Sequence, residues 1–149
     1  ETWFSFFERK RLNLEAEYQR EYVWGEVQQQ ELLRSIMMGL PLSAISVVKE
    51  DDVFVYEVVD GKQRFANLDL FFKDGIGVEI DGEKVLFSEL NQAEQKAFLN
   101  TSLPMSRLKK ASKVERIRYF LSINFAGLPQ SEEHHNKVIE MLVKETTNF

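Results

Sequence analysis

Two runs rich in β-branched and aromatic residues, Ala44 to Val48 and Val53 to Val59, flank Lys49-Glu50-Asp51-Asp52, and Asp60-Gly61 cuts off the second. Such runs favour pleated, half-buried backbone, the charged tetrapeptide suits a hairpin turn, and Asp-Gly is a turn dipeptide. Directly beyond it, Phe65, Leu68, Phe71 and Phe72 recur at helical spacing as far as Asp74-Gly75. An antiparallel strand pair feeding a helix through one tight turn is therefore expected, and with it an α+β fold.

The surrounding chain supplies further elements. Leu32, Leu33, Ile36, Met37 and Leu40 predict a helix from Glu26, stopped by Gly39 and Pro41. Val78 to Ile80 and Lys84 to Phe87 around Asp81-Gly82 predict a second, short hairpin suited to a sheet edge. Asn91 with Glu94 and Ser112 with Glu115 match the capping box, and Ser131 suits the cap of a last helix with the apolar face Val138, Ile139, Leu142 and Val143. Thr2 to Phe7 reads as an opening helix or arm, its aromatics Trp3, Phe4, Phe6 and Phe7 better suited to core than to an interaction surface. Leu14 to Trp24 reads as strand and loop. The expected architecture is a small mixed sheet first and a helical second half, in one domain over residues 1–149.

Composition narrows the chemistry. The absence of cysteine removes disulfides, thiolate nucleophiles and cysteine-ligated metal sites, which fits a reducing interior. No apolar run approaches the roughly 20 residues of a membrane span and no signal segment opens the chain, so a cytoplasmic setting without a membrane partner is expected. With 24 acidic and 19 basic side chains the net charge is -5, so any nucleic-acid contact must be regional. A start at Glu1 rather than Met is expected of a piece of a longer protein.

The strongest constellation is Val58-Val59-Asp60-Gly61-Lys62-Gln63-Arg64. Unpaired N–H groups at a helix start carry partial positive charge, glycine lets a ligand approach the main chain, and Lys62 and Arg64 can neutralise an anion. Arg64 adds a planar bidentate fork. Asp60 would repel a bare phosphate, so its functional role is to hold Mg²⁺, orient an arginine or accept a sugar hydroxyl. The competing reading is a plain turn and helix cap with Lys62 and Arg64 solvated.

Asp60 to Arg64 followed by Leu68 resembles the DGQQR motif of a prokaryotic domain family with the ParB/sulfiredoxin fold, found at the front of modification-dependent restriction proteins of the GmrSD and SspE type. Tyr18-Gln19-Arg20-Glu21-Tyr22-Val23-Trp24 resembles that family's upstream YQRxYVW signature. Leu32-Leu33-Arg34-Ser35-Ile36 with Gly39-Leu40-Pro41-Leu42 resembles its next helix and G-x-P step. Phe120 to Asn124 with Gly127, Pro129, Ser131 and Glu133 resembles its late N-x-x-G segment, so the likeness spans nearly the whole chain. The resemblance implies a ParB-like pocket in which Gly61, Lys62, Gln63 and Arg64 hold a nucleotide's phosphates and Arg20 makes a second phosphate or DNA contact. It also implies nucleoside triphosphatase activity coupled to recognition or cutting of modified DNA in prokaryotic or phage restriction and defence, with an effector nuclease domain or subunit as partner. Asp60 and Arg64 are the candidate catalytic residues, and Asp60 the candidate metal ligand, in that reading or in the alternative of a metal-dependent ParB-like nuclease. Lys62 stands where glutamine is usual and Ala66-Asn67 where two threonines are usual, which favours binding over turnover. Sulfiredoxin's own chemistry is excluded, since Lys62 occupies the place of its reactive cysteine.

A basic run, Arg107, Lys109, Lys110, Lys113, Arg116 and Arg118, offers the alternative of a non-catalytic DNA- or protein-binding module, with Lys109, Lys110 and Lys113 on the nucleic acid. Its plainer reading is a solvated helix face with Lys109 and Lys110 in the preceding loop. His134 and His135, adjacent on a helix, point about 100° apart and cannot ligate one ion unaided. No Ser-His-Asp set, HNH array or P-loop is present.

Overall fold

The computed structural model describes residues 2–16, 18–19, 24–49, 55–108, 111–124 and 132–147. The chain divides into two compact units, one of Glu1–Lys10, Tyr22–Ala44 and Gly61–Pro104, the other of Arg11–Glu21, Ile45–Asp60 and Met105–Phe149.

The first unit is helical. It holds α1 (Trp3–Glu8), α2 (Glu26–Met37), α3 (Lys62–Phe72) and α4 (Gln92–Leu99), with a small hairpin of β4 (Val78–Ile80) and β5 (Glu83–Val85). The opening aromatics are core here: Trp3 and Phe6 are buried, and Trp3 Nε1 donates to Phe98 O at 2.9 Å. Trp3, Phe71 and Phe87 pack around Phe98 with ring centroids 5.1, 5.0 and 5.5 Å away, and each fully buried large apolar side chain contributes about 1.5–3 kcal/mol. The helix expected from Glu26 ends where Gly39 turns back at φ +77°, as anticipated. Asp81 and Gly82, both at positive φ, make the mirror-image turn of a tight hairpin. The strand expected over Lys84 to Phe87 stops at Val85, because Phe87 begins a 3-10 turn that buries its ring. Gln30, buried on α2, donates from its amide to Gly77 O and accepts from Glu79 N, both at 2.7 Å, standing in for a strand partner along β4.

The second unit is the mixed sheet with two helices. β1 (Leu12–Asn13), β3 (Tyr56–Asp60), β2 (Ile45–Lys49) and β6 (Met105–Leu108) lie side by side in that order. The predicted β2–β3 pair is antiparallel, while β1 runs parallel to β3 and β6 parallel to β2. Val48 and Val59 face Ile117, Phe120 and Leu121 of α5 (Lys113–Asn124) and Val138 of α6 (Glu132–Thr147), with Tyr18 in the same core. On α6 the inward stripe is Val138, Met141 and Leu142, whereas Ile139 and Val143 are 39% and 54% exposed, so half of the expected apolar face turns outward. The cap expected at Ser131 lies outside the described residues. Among the described residues no helix is long and apolar enough to cross a membrane.

Candidate functional site

Asp60 closes β3 opposite Ser46 of β2, and Gly61, the next residue, caps α3. Gly61 has φ +121°, a conformation that costs glycine nothing and strains any side chain. Its carbonyl accepts the first helical bond from Phe65 N at 3.1 Å, so Lys62 and Gln63 sit in the first turn, where backbone N–H groups have no intrahelical acceptor. That turn contains no acidic residue to offset the positive end of the helix dipole.

The side chains of this turn are drawn inward. Lys62 is 9% and Gln63 8% exposed, and Arg64, half-buried, donates from Nη1 to Ser43 O at 2.9 Å. None of Asp60, Lys62, Gln63 and Arg64 stands without a partner. The picture of a plain turn with solvated cations therefore does not describe Lys62. One turn further on, Asn67 is fully buried and its Nδ2 lies 3.3 Å from Gln29 O.

Of the other sequence-derived candidates, Arg20, Lys109 and Lys110 lie outside the described residues. The residues just before Arg20 are firmly held: Gln19 Nε2 donates to Val58 O at 2.6 Å and Val59 O at 2.9 Å, continuing along β3 where β1 has ended. The basic run does not form one helix face. Arg107 belongs to β6, Lys113 pairs with Glu145 at 3.2 Å, and Arg116 donates to Glu57 at 3.0 Å. His134 Nε2 lies 2.9 Å from Tyr18 O, a structural contact that ties α6 to the segment before Gln19.

A protein-family model described as the N-terminal domain of the GmrSD restriction endonuclease matches residues 3–148. The chain belongs to that family. No curated protein and no solved structure matches it.

The reading of this GmrSD-type domain from sequence missed one polar centre. Glu57, 9% exposed and second in β3, accepts from Tyr18 Oη at 2.9 Å and from Arg116 Nη1 at 3.0 Å on the same oxygen. A buried carboxylate is stable only with such partners. The signal was available: Glu57 interrupts the run Val55-Tyr56-Glu57-Val58-Val59 on the face shared with Val59.

Proposed function

We propose that this domain of a restriction system binds a nucleoside triphosphate through its phosphates, with Gly61, Lys62, Gln63 and Arg64 making the contacts. The observation that carries the reading is the start of α3. A glycine at φ +121° opens a helix whose first turn has no carboxylate and carries both Lys62 and Arg64. Backbone N–H groups, helix dipole and two cations there favour the same kind of ligand, a compact polyanion.

Asp60 fits a magnesium role in the same proposal. Mg²⁺ commonly takes one or two carboxylates together with substrate phosphates, so a lone Asp beside a triphosphate suffices. Among the described residues no group of three or more His, Cys, Asp or Glu side chains forms a self-sufficient metal cage. Binding, rather than hydrolysis, is the core of the reading. Ala66 brings no hydroxyl, and Asn67 is fully buried with its amide nitrogen on Gln29 O, so neither position offers a hydroxyl to orient attacking water. The ParB-like character of the fold and the effector nuclease domain or subunit, which would do the cutting, belong to the same proposal.

A thermal-shift screen against the common nucleoside triphosphates, with and without magnesium, tests it. A ligand at a hundred times its Kd adds about 2.7 kcal/mol to the folded state. For a chain of this size that is a rise of about 5 to 10 °C in Tm. No rise with any triphosphate would count against the reading.

A further inference from the structure

The outer face of α2 in the first unit has the same pattern from either end. Val27, Glu31, Arg34 and Met38 follow one another at steps of four, three and four, which keeps them on one side of the helix, and all four are exposed. Val27 and Met38, 68% and 74% exposed, are the most exposed large apolar side chains among the described residues. The pattern is symmetric about a point between Leu32 and Leu33: Val27 mirrors Met38, and Glu31 mirrors Arg34 with the opposite charge. The other side of α2 carries the buried Gln30, Leu33 and Ile36, and Gln29 O there accepts from Asn67 of α3. Among the described residues neither Glu31 nor Arg34 has a side-chain ion pair.

We propose that this face of α2 docks a second copy of the chain, the two helices lying antiparallel across a two-fold axis between Leu32 and Leu33. A two-fold contact sets one patch against the same patch of the other copy, so the patch must complement itself. Here it does. Val27 meets the second copy's Met38 and Glu31 meets the second copy's Arg34, each twice by symmetry, so two ion pairs sit between two apolar contacts. A parallel arrangement would set Glu31 against Glu31 and Arg34 against Arg34, and like charges in contact are strongly disfavoured. Antiparallel helices also bring the positive end of each dipole beside the negative end of the other. Self-complementarity of charge is what selects a second copy over an unrelated partner. The contact is about 17 Å long and one helix wide, short of the roughly 1,200–2,000 Å² of a stable interface, so the pair forms reversibly and at high concentration. Dimerisation through this face is independent of the triphosphate-binding turn, since α3 packs on the other side of α2.

Sedimentation equilibrium of the chain without nucleotide, from about 10 to about 500 μM, tests this. The parent should move from monomer toward dimer across that range. Glu31→Arg and Arg34→Glu should each weaken association at least about tenfold, because each turns two ion pairs into two like-charge pairs. An equimolar mixture of the two variants should associate again, since one copy then offers two arginines to two glutamates of the other. The double variant Glu31→Arg with Arg34→Glu should likewise recover self-association. Three outcomes overturn the proposal: a parent that stays monomeric throughout, single variants that associate as the parent does, or a mixture no more associated than its components. If either single variant loses its helical circular dichroism, Val27→Asp carries the test, since an acid is tolerated in the first turn of a helix. Association of Val27→Asp about tenfold weaker than the parent's supports the proposal, and parent-like association overturns it.

Discussion

Arg116 and Glu57, 59 residues apart in sequence, meet at 3.0 Å in the interior of the second unit. Tyr18 supplies the second donor to the same carboxylate oxygen, so α5, β3 and the segment carrying Gln19 share one polar centre. Arg116 Nε also donates to Ala111 O at 3.0 Å, which fixes the guanidinium at the start of α5.

Removing Arg116 strands a carboxylate whose side chain is 12% exposed. Breaking a fully buried pair from one side costs about 3–5 kcal/mol, and this pair retains some solvent access, so Arg116→Ala should cost about 2 to 3 kcal/mol. Tyr18→Phe should cost about 1 kcal/mol. Urea unfolding midpoints measure both, and a change under about 0.5 kcal/mol in Arg116→Ala would contradict the assignment.

Gly61→Ala places a Cβ on a residue at φ +121°. Holding a non-glycine residue there costs about 1–3 kcal/mol. The loss should be visible as a lower unfolding midpoint even without ligand, since the strain lies in the backbone itself.

In the first unit, Trp3 combines complete burial with the Nε1 bond to Phe98 O. Trp3→Ala should cost about 3–5 kcal/mol and Trp3→Phe about 1–2, the latter leaving Phe98 O with the Thr101 N–H and without its indole donor. Equal stability of Trp3→Phe and the parent in urea would show that the indole bond adds nothing.

Asp74 has a defined pH signature. Its Oδ1 accepts the Ser88 N–H at 3.0 Å, and that backbone bond, with a lesser side-chain bond to Ser88, holds its carboxyl below the ordinary 3.8. A depressed folded-state value contributes stability above the unfolded-state value, and the contribution fades as pH falls through the folded-state value. Asp74→Asn lacks this contribution at every pH. Its deficit in urea midpoint should be present at neutral pH and close as the pH drops below 3.8, and a deficit that widens in acid would refute the linkage.

Local chemistry was readable from the residues, and long-range pairing was not. The turn at Asp60-Gly61, the hairpin at Asp81-Gly82 and the reciprocal cap of Asn91 with Glu94 each follow from neighbours within a few positions, and each is present. β6 escaped notice because Met105 to Leu108 mixes two exposed polar residues into four, and its partner β2 lies some sixty positions away. On α6, Ile139 follows the buried Val138 and Val143 follows Leu142, which packs partly buried against the same core, so periodicity gave two adjacent stripes and only packing chose between them. At the candidate site the cations and the glycine were legible, while the burial of Lys62 and Gln63 and the central place of Glu57 depend on tertiary packing.

The central claim is that the cationic first turn of α3 takes a triphosphate. Calorimetric titration of the chain and of its Arg64→Ala variant with nucleoside triphosphates in magnesium tests it most directly. The expected result is saturable binding by the parent and at least about a tenfold weaker Kd in a variant with unchanged circular dichroism, since a charge-assisted bidentate contact is lost. Equal affinity in the two proteins, or no heat of binding in either, would contradict the claim.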